Sequence, residues 1–134
     1  MMDKYKQPGI QCDGVILVEE EFWRNYDVPN DSRIDFNLEV ANSINSNDEH
    51  VIEIQATLKL IYNDKEYLNL KNKFIGFFST VEGEENMDIE EFIEYNAVAL
   101  MIPYIREHIS SITMKSGINP IIIPPINVHA LFSE

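Results

Sequence analysis

Val51-Ile52-Glu53-Ile54-Gln55-Ala56-Thr57-Leu58-Lys59-Leu60-Ile61-Tyr62 is the stretch that decides the fold. Ile52, Ile54, Ala56, Leu58 and Leu60 fall at every second position, and Glu53, Gln55, Thr57 and Lys59 fall between them. A period of two puts these sets on opposite faces of a β-strand. One face is apolar and the other polar, which an antiparallel sheet accommodates and a doubly covered parallel sheet does not. The reading extends outward from there. Asn63-Asp64-Lys65 is a turn, and EYLNLKNKFIGFFSTVE, residues 66–82, returns as the next strand. Gly76 inside that run marks a bulge or a close backbone approach. Upstream, the polar residues 42–50 form a loop. IDFNLEV, residues 34–40, is another alternating strand, with Ile34, Phe36, Leu38 and Val40 on one face. The first strand is placed at Ile10 to Phe22, with alternation weakest around Gly14. Between the first two strands, WRNYDVPNDSR, residues 23–33, reads as a connection carrying Trp23, Tyr26 and Val28.

From the acidic stretch Glu82 to Glu94 onward the pattern is helical. Asp88 suits an N-cap, and Glu90 and Glu91 suit a first turn. A short helix to about Tyr95 is expected, then a longer one from about Val98 to Lys115. In the longer helix, Met101, Ile105, Ile109 and Ile112 make one apolar stripe. Gly117 suits the position just past its end. Pro103 must lie near the start of that helix or kink it. Pro120, Pro124 and Pro125 forbid a helix in INPIIIPPINVHALFSE, which reads as an extended apolar strap with a final turn at His129 to Phe132. Strands over about 10–81, with helices and strap over about 88–132, make one α+β domain, 1–134. Its helices pack on one face of a four-stranded antiparallel sheet.

The chain has 134 residues, with 23 acidic and 10 basic side chains and a formal net charge of −13. So negative a body repels phosphate backbones and anionic lipid, which argues against nucleic-acid and membrane-surface partners and in favour of basic ones. The longest apolar run, Ala97 to Pro103, is far too short to span a bilayer. The residues MMDKYKQPGIQC contain no signal-peptide core, and Cys12 is the only cysteine. A reducing, cytoplasmic setting is expected. No repeat or low-complexity tract is present.

The residue types give no catalytic or metal-binding pattern. His50, His108 and His129 lack zinc spacing, and no phosphate-binding or nucleophile-elbow motif is present. No metal, cofactor or enzymatic activity is therefore expected. Arg106 and Glu107 read as a surface ion pair, and Cys12 as a small buried hydrophobe. The distinctive material is apolar. Trp23 and Tyr26 lie in a connection, and Phe132 lies beside the C-terminus. Those are poor places for core aromatics and good places for the rim of a groove.

Three segments then carry a family resemblance. Ile102-Pro103-Tyr104-Ile105-Arg106-Glu107-His108-Ile109-Ser110-Ser111 resembles the F-P-Y-A-R-E-x-I-S-S helix of the SecB family of protein-export chaperones. Pro125-Ile126-Asn127-Val128-His129-Ala130-Leu131-Phe132 resembles that family's A-P-V-N-F-D-A-L-F strap, and Gly76-Phe77-Phe78-Ser79 its G-I-F-S strand end. The order and approximate spacing also agree.

The resemblance implies a Greek-key order for the sheet. It implies an ATP-independent holdase that binds non-native or precursor polypeptides in apolar grooves for export, with SecA as a partner and a dimeric or tetrameric homo-oligomer. It nominates Trp23, Tyr26 and Val28 from the crossover, Tyr104 from the helix, and Leu131 and Phe132 from the tail as groove residues. A chaperone dedicated to one partner, such as an antitoxin, and a non-chaperone assembly domain on the same fold are the alternatives. The sequence stops at Glu134, where the family continues into a last helix and an acidic tail. A narrower groove and a weaker motor contact are expected from that difference. Asn72 and Lys73 fall where the family makes subunit contacts, which bears on tetramer formation.

Overall fold

The computed structural model describes residues 9–45, 47, 49–81 and 89–128. Four strands are followed by a helix: β1 (Gly9–Arg24), β2 (Arg33–Ile44), β3 (His50–Tyr62), β4 (Lys65–Val81) and α1 (Ile89–Lys115). All neighbouring strands are antiparallel, in the order β1-β4-β3-β2. Three hairpin-linked strands with the remaining one returned to the far side make a Greek key. Residues 25–32 carry the chain from one edge of the sheet to the other.

The alternation in β3 sorts its side chains as the sequence requires. Ile52, Ile54, Ala56, Leu58 and Leu60 are buried beneath α1, joined by Leu68, Leu70, Phe74 and Phe78 of β4. The turn between these strands sits on Asn63 and Asp64, both at positive φ (52° and 63°), a region that short polar residues tolerate. Gly76 marks a close approach. A Cβ there would lie 2.7 Å from the Phe78 ring and 2.8 Å from Met101 Sδ. In β1 the register shifts between Cys12 and Gly14 and again between Leu17 and Glu19, which is why its alternation is weak.

Several expectations are corrected. β1 runs to Arg24, so Trp23 is a strand residue paired with Asn69 and not part of a loop. The helical region is one continuous helix through Asn96, with no break between a short and a long one. Pro103 lies well inside it, on the exposed side. There the Ala99 carbonyl that loses its intrahelical donor can turn to water. Cys12 is exposed rather than buried, because it lies on the outermost strand. Met101, Ile105 and Ile109 form the buried stripe, and Ile112 is half-buried beside them. Gly117 ends the helix at φ 87°, where glycine is favoured. The proposed N-cap Asp88 and the tail His129 to Phe132, with Leu131, lie outside the described residues.

One core position is polar without compensation. Asn72 is buried between Ala56 and Glu20 on the helix side of the sheet. Neither its Oδ1 nor its Nδ2 has a hydrogen-bond partner among the described residues. Leaving both groups dry costs on the order of 1–3 kcal/mol. Leucine has the same branching and no such cost. Asn72→Leu is therefore expected to raise the unfolding free energy by about 1–3 kcal/mol, read as a higher urea midpoint at unchanged slope. An unchanged midpoint would mean the amide is satisfied.

Candidate client-binding cleft

The strap after α1 is held by two polar handles. Thr113, buried near the helix end, donates its hydroxyl to the Ile109 carbonyl (2.8 Å) and accepts the Ile121 N–H (2.9 Å). Arg106 Nε donates to the Ile123 carbonyl at 2.8 Å, so Arg106 grips the strap and not its neighbour Glu107. Ile121 and Ile123 are buried as a result, whereas Ile122 between them is 74% exposed.

Arg24 closes the same end of the molecule. Its Nη1 donates to the Ser116 carbonyl at the helix terminus, its Nη2 to the Tyr26 carbonyl (2.6 Å) and its Nε to the Asn25 carbonyl (2.9 Å). A guanidinium there satisfies helix-terminal carbonyls and sits favourably against the helix dipole. The start of the crossover, the end of β1 and the end of α1 are thereby tied to one side chain. Within the crossover, Ser32 folds back on the Pro29 carbonyl through its hydroxyl (2.7 Å), and Asn25 Nδ2 reaches the Asp27 carbonyl (3.0 Å).

Between crossover and strap lies an open cleft of about 570 Å3. Tyr26, Val28 and Pro29 form one wall and Ile118, Pro120 and Ile122 the other, with Ile34 and Leu60 of the sheet also lining it. Tyr26 is 92% exposed, an aromatic ring held out by the backbone without cover among the described residues. A volume of this order falls in the roughly 300–1,000 Å3 range of ligand clefts.

The structure divides the nominated residues. Tyr26 and Val28 share this cleft. Trp23 faces the other side of the sheet and lines a separate cleft of about 450 Å3 with Lys59, Asn69 and Lys71. Tyr104 is exposed on α1, two residues from Arg106 and hence about 200° away around the helix, on the flank opposite the strap. It shares that flank with His108, which pairs with Glu20 of β1 and meets Phe74 edge-on. The residues that shape the cleft, Arg24, Arg106 and Thr113, are absent from the sequence-based nomination.

The middle of the sheet's outer face is charged. Lys73 bridges Glu19 and Glu53, each at 3.5 Å; these carboxylates, Glu19 first, hold its ammonium above the usual lysine range. Glu66 is held below the usual carboxylate range, chiefly by its hydrogen bond with Lys59 and then by Asn69. Among the described residues no three His, Cys, Asp or Glu side chains are placed to hold a metal ion, and no helix is long and apolar enough to cross a membrane.

A Greek-key sheet with one long helix on one face, and an apolar strap beside it, is the fold of the SecB-like chaperones. The Mycobacterium tuberculosis Rv1957 SecB-like chaperone, solved in complex with a ChAD peptide from the Rv1956 HigA1 antitoxin, shares it. The two superpose with a TM-score of 0.70 at 20% identity, over 88% of each chain. The family described as preprotein translocase subunit SecB matches residues 21–134, and the chain belongs to that family. Among relatives, uncharacterized protein MJ0357 of Methanocaldococcus jannaschii is 31% identical over 94% of this chain and 84% of its own. The protein-export protein SecB of Magnetococcus marinus is 23% identical over 81% of this chain and 69% of its own.

Proposed function

We propose that this protein is an ATP-independent holdase that takes an extended stretch of a non-native polypeptide into the cleft between crossover and strap. The observation that carries this reading is Tyr26, held fully out beside Val28 over an open cleft of mixed polar and apolar lining in a chain of the SecB family. Such a ring is stabilised only by what comes to cover it. Burying it against a client contributes about 1.5–3 kcal/mol before ordering costs. A few such contacts hold a chain without reading its sequence. The same reading extends the client path to Leu131 and Phe132 beyond the strap. Trp23 and Tyr104 would be reached only by a client that wraps round the β1 edge.

The remaining roles belong to the same proposal. Leu100, Tyr104 and Met114 are exposed on α1 and suit a contact with a second copy, giving a homo-oligomer. Precursors for export are the proposed clients, SecA the proposed receiving partner, and the cytoplasm the proposed site of action. A second reading is favoured by one observation: the structure sharing this fold is described as a complex with an antitoxin peptide. A chaperone dedicated to one such partner would ignore generic unfolded chains.

The test dilutes a denatured, slowly folding precursor into an excess of this protein and follows light scattering. Suppressed scattering is expected. Tyr26→Ala should require about ten-fold more protein for equal suppression, with an unchanged circular dichroism spectrum. Scattering as fast as without the protein would refute the general holdase.

A further inference from the structure

We infer that the Glu20 carboxylate is a two-position latch, able to leave His108 of α1 for the buried amide of Asn72, and that this choice sets how firmly α1 is seated on β1. The buried face of β4 reads Leu68, Leu70, Asn72, Phe74, so an amide interrupts an otherwise apolar row. Asn72 is 1% exposed, and neither of its polar atoms has a partner among the described residues. Its register partner on β1 is Glu20, on the same face of the sheet. Side chains directly opposite on neighbouring antiparallel strands have Cβ atoms about 4.5–5.5 Å apart, within reach for a glutamate and an asparagine. The group that could satisfy the amide is therefore its cross-strand neighbour, and that group is engaged elsewhere.

Glu20 Oε1 pairs with His108 Nε2. The ring of His108 stands edge-on to Phe74, with centroids 5.6 Å apart. Phe74 is two residues beyond Asn72 on β4, about 7 Å along the strand. The helix thus draws the carboxylate along the sheet and away from the amide. β1 gives Glu20 the freedom to move. The register shift between Leu17 and Glu19 lies just before it, and irregularities of this kind re-aim side chains. β1 is also an outer strand of the sheet, paired on one side only. The Glu20 and His108 side chains are 25% and 23% exposed, so water reaches both.

The two positions compete because each satisfies what the other leaves. On His108, the carboxylate ties α1 to β1 and leaves the amide dry, which is unfavourable. On Asn72, it accepts the Nδ2 hydrogen bond, strengthened by its charge, and gives up part of its water. His108 loses little in that exchange, because its half-buried ring can bond to water. The second position releases the tie between α1 and β1 on the flank where Tyr104, one turn before His108, is exposed. Lys73 does not compete for Glu20, since it is bonded to Glu19 and Glu53 on the opposite face of the sheet. A leucine at 72 would pack as Leu68 and Leu70 do and would abolish the second position. The asparagine keeps it.

The experiment measures the effect of Asn72→Leu in two backgrounds, by urea unfolding of the full chain at one fixed pH. His108→Phe keeps a ring against Phe74 and removes the bond to Glu20. In the wild-type background Asn72→Leu should raise the folding equilibrium constant about ten-fold, because it replaces an unpaired amide. In the His108→Phe background that gain should vanish, because Glu20 has moved onto Asn72. Adding Glu20→Ala to His108→Phe should restore most of the gain. Should the larger ring unfold the chain, His108→Ala, which cannot overpack, gives the same comparison. A second readout is the Asn72 side-chain amide resonance in isotope-labelled protein, which should move downfield in the His108 variant as it gains a hydrogen bond. A gain of equal size with and without His108, or no gain in the wild type, would overturn the proposal. So would a gain that Glu20→Ala fails to restore, or an amide resonance that does not move.

Discussion

Phe78→Ala is expected to lower the unfolding free energy by about 3–5 kcal/mol, a large part of the roughly 5–15 kcal/mol that holds a domain together. Phe78 is fully buried where β4 is flanked by β1 and β3, opposite Cys12 and His50. Its ring leans over Gly76, and Met101 of α1 fills the remaining space above that glycine. The backbone has no side chain at 76 because the ring already occupies the volume. This makes the two positions energetically coupled. Gly76→Ala alone should cost about 1–3 kcal/mol by overpacking. In the Phe78→Ala background the same change should cost much less, because its methyl would partly fill the cavity, with Met101 shifting its flexible end aside. A double-mutant cycle in urea reads the coupling directly. Costs that simply add would show that the ring is not what excludes a Cβ at 76.

That packing explains part of what the sequence could reveal. The alternation of β3 and the turn at Asn63-Asp64 are local, with periods of two and signals within four residues, so they were legible. The Greek-key order was not legible from periodicity, since a strand pattern does not say which edge it occupies; only the family resemblance supplied it. The expected break between Tyr95 and Val98 falls at Asn96, a poor helix former. Its penalty is only a few tenths of a kcal/mol, however, and Ala97, Val98 and Met101, all buried, outweigh it. Trp23 reads as part of a loop because turn formers follow it so closely. The strand's own alternation continues through it, with Phe22 and Arg24 to the helix side and Trp23 outward. The strand signal at Trp23 is therefore present in the sequence.

The cleft shows the opposite limit. Tyr26 and Val28 could be nominated because apolar residues in a connection are conspicuous. Arg24 could not, because one of its partners, Ser116, is 92 residues away and is bonded through its carbonyl, which every residue has. The same holds for Thr113 and Arg106, whose partners on the strap are also backbone atoms. Side chains that organise a site through main-chain contacts leave no motif.

Arg24→Ala should accordingly cost more in function than its position at a strand end suggests. The substitution frees the Ser116, Tyr26 and Asn25 carbonyls together and removes the cation that faces the helix terminus. Hydrogen bonds from a charged donor are worth about 1.5–3 kcal/mol each when buried, and water replaces part of that at a half-buried site. A loss of about 2–3 kcal/mol is expected for the set. Because Tyr26 hangs on one of these bonds, the cleft loses its aromatic wall as a fixed feature, and client affinity should fall about ten-fold at temperatures where the fold is intact. Arg24→Lys discriminates between charge and shape. Lysine restores the cation but not the planar fork that reaches three carbonyls at once. It should recover less than half of the stability and little of the affinity. A lysine variant matching the wild type in both measurements would mean that charge alone closes this end of the molecule. The shape of the cleft would then have to be set elsewhere, by Thr113 and Arg106 on the strap side.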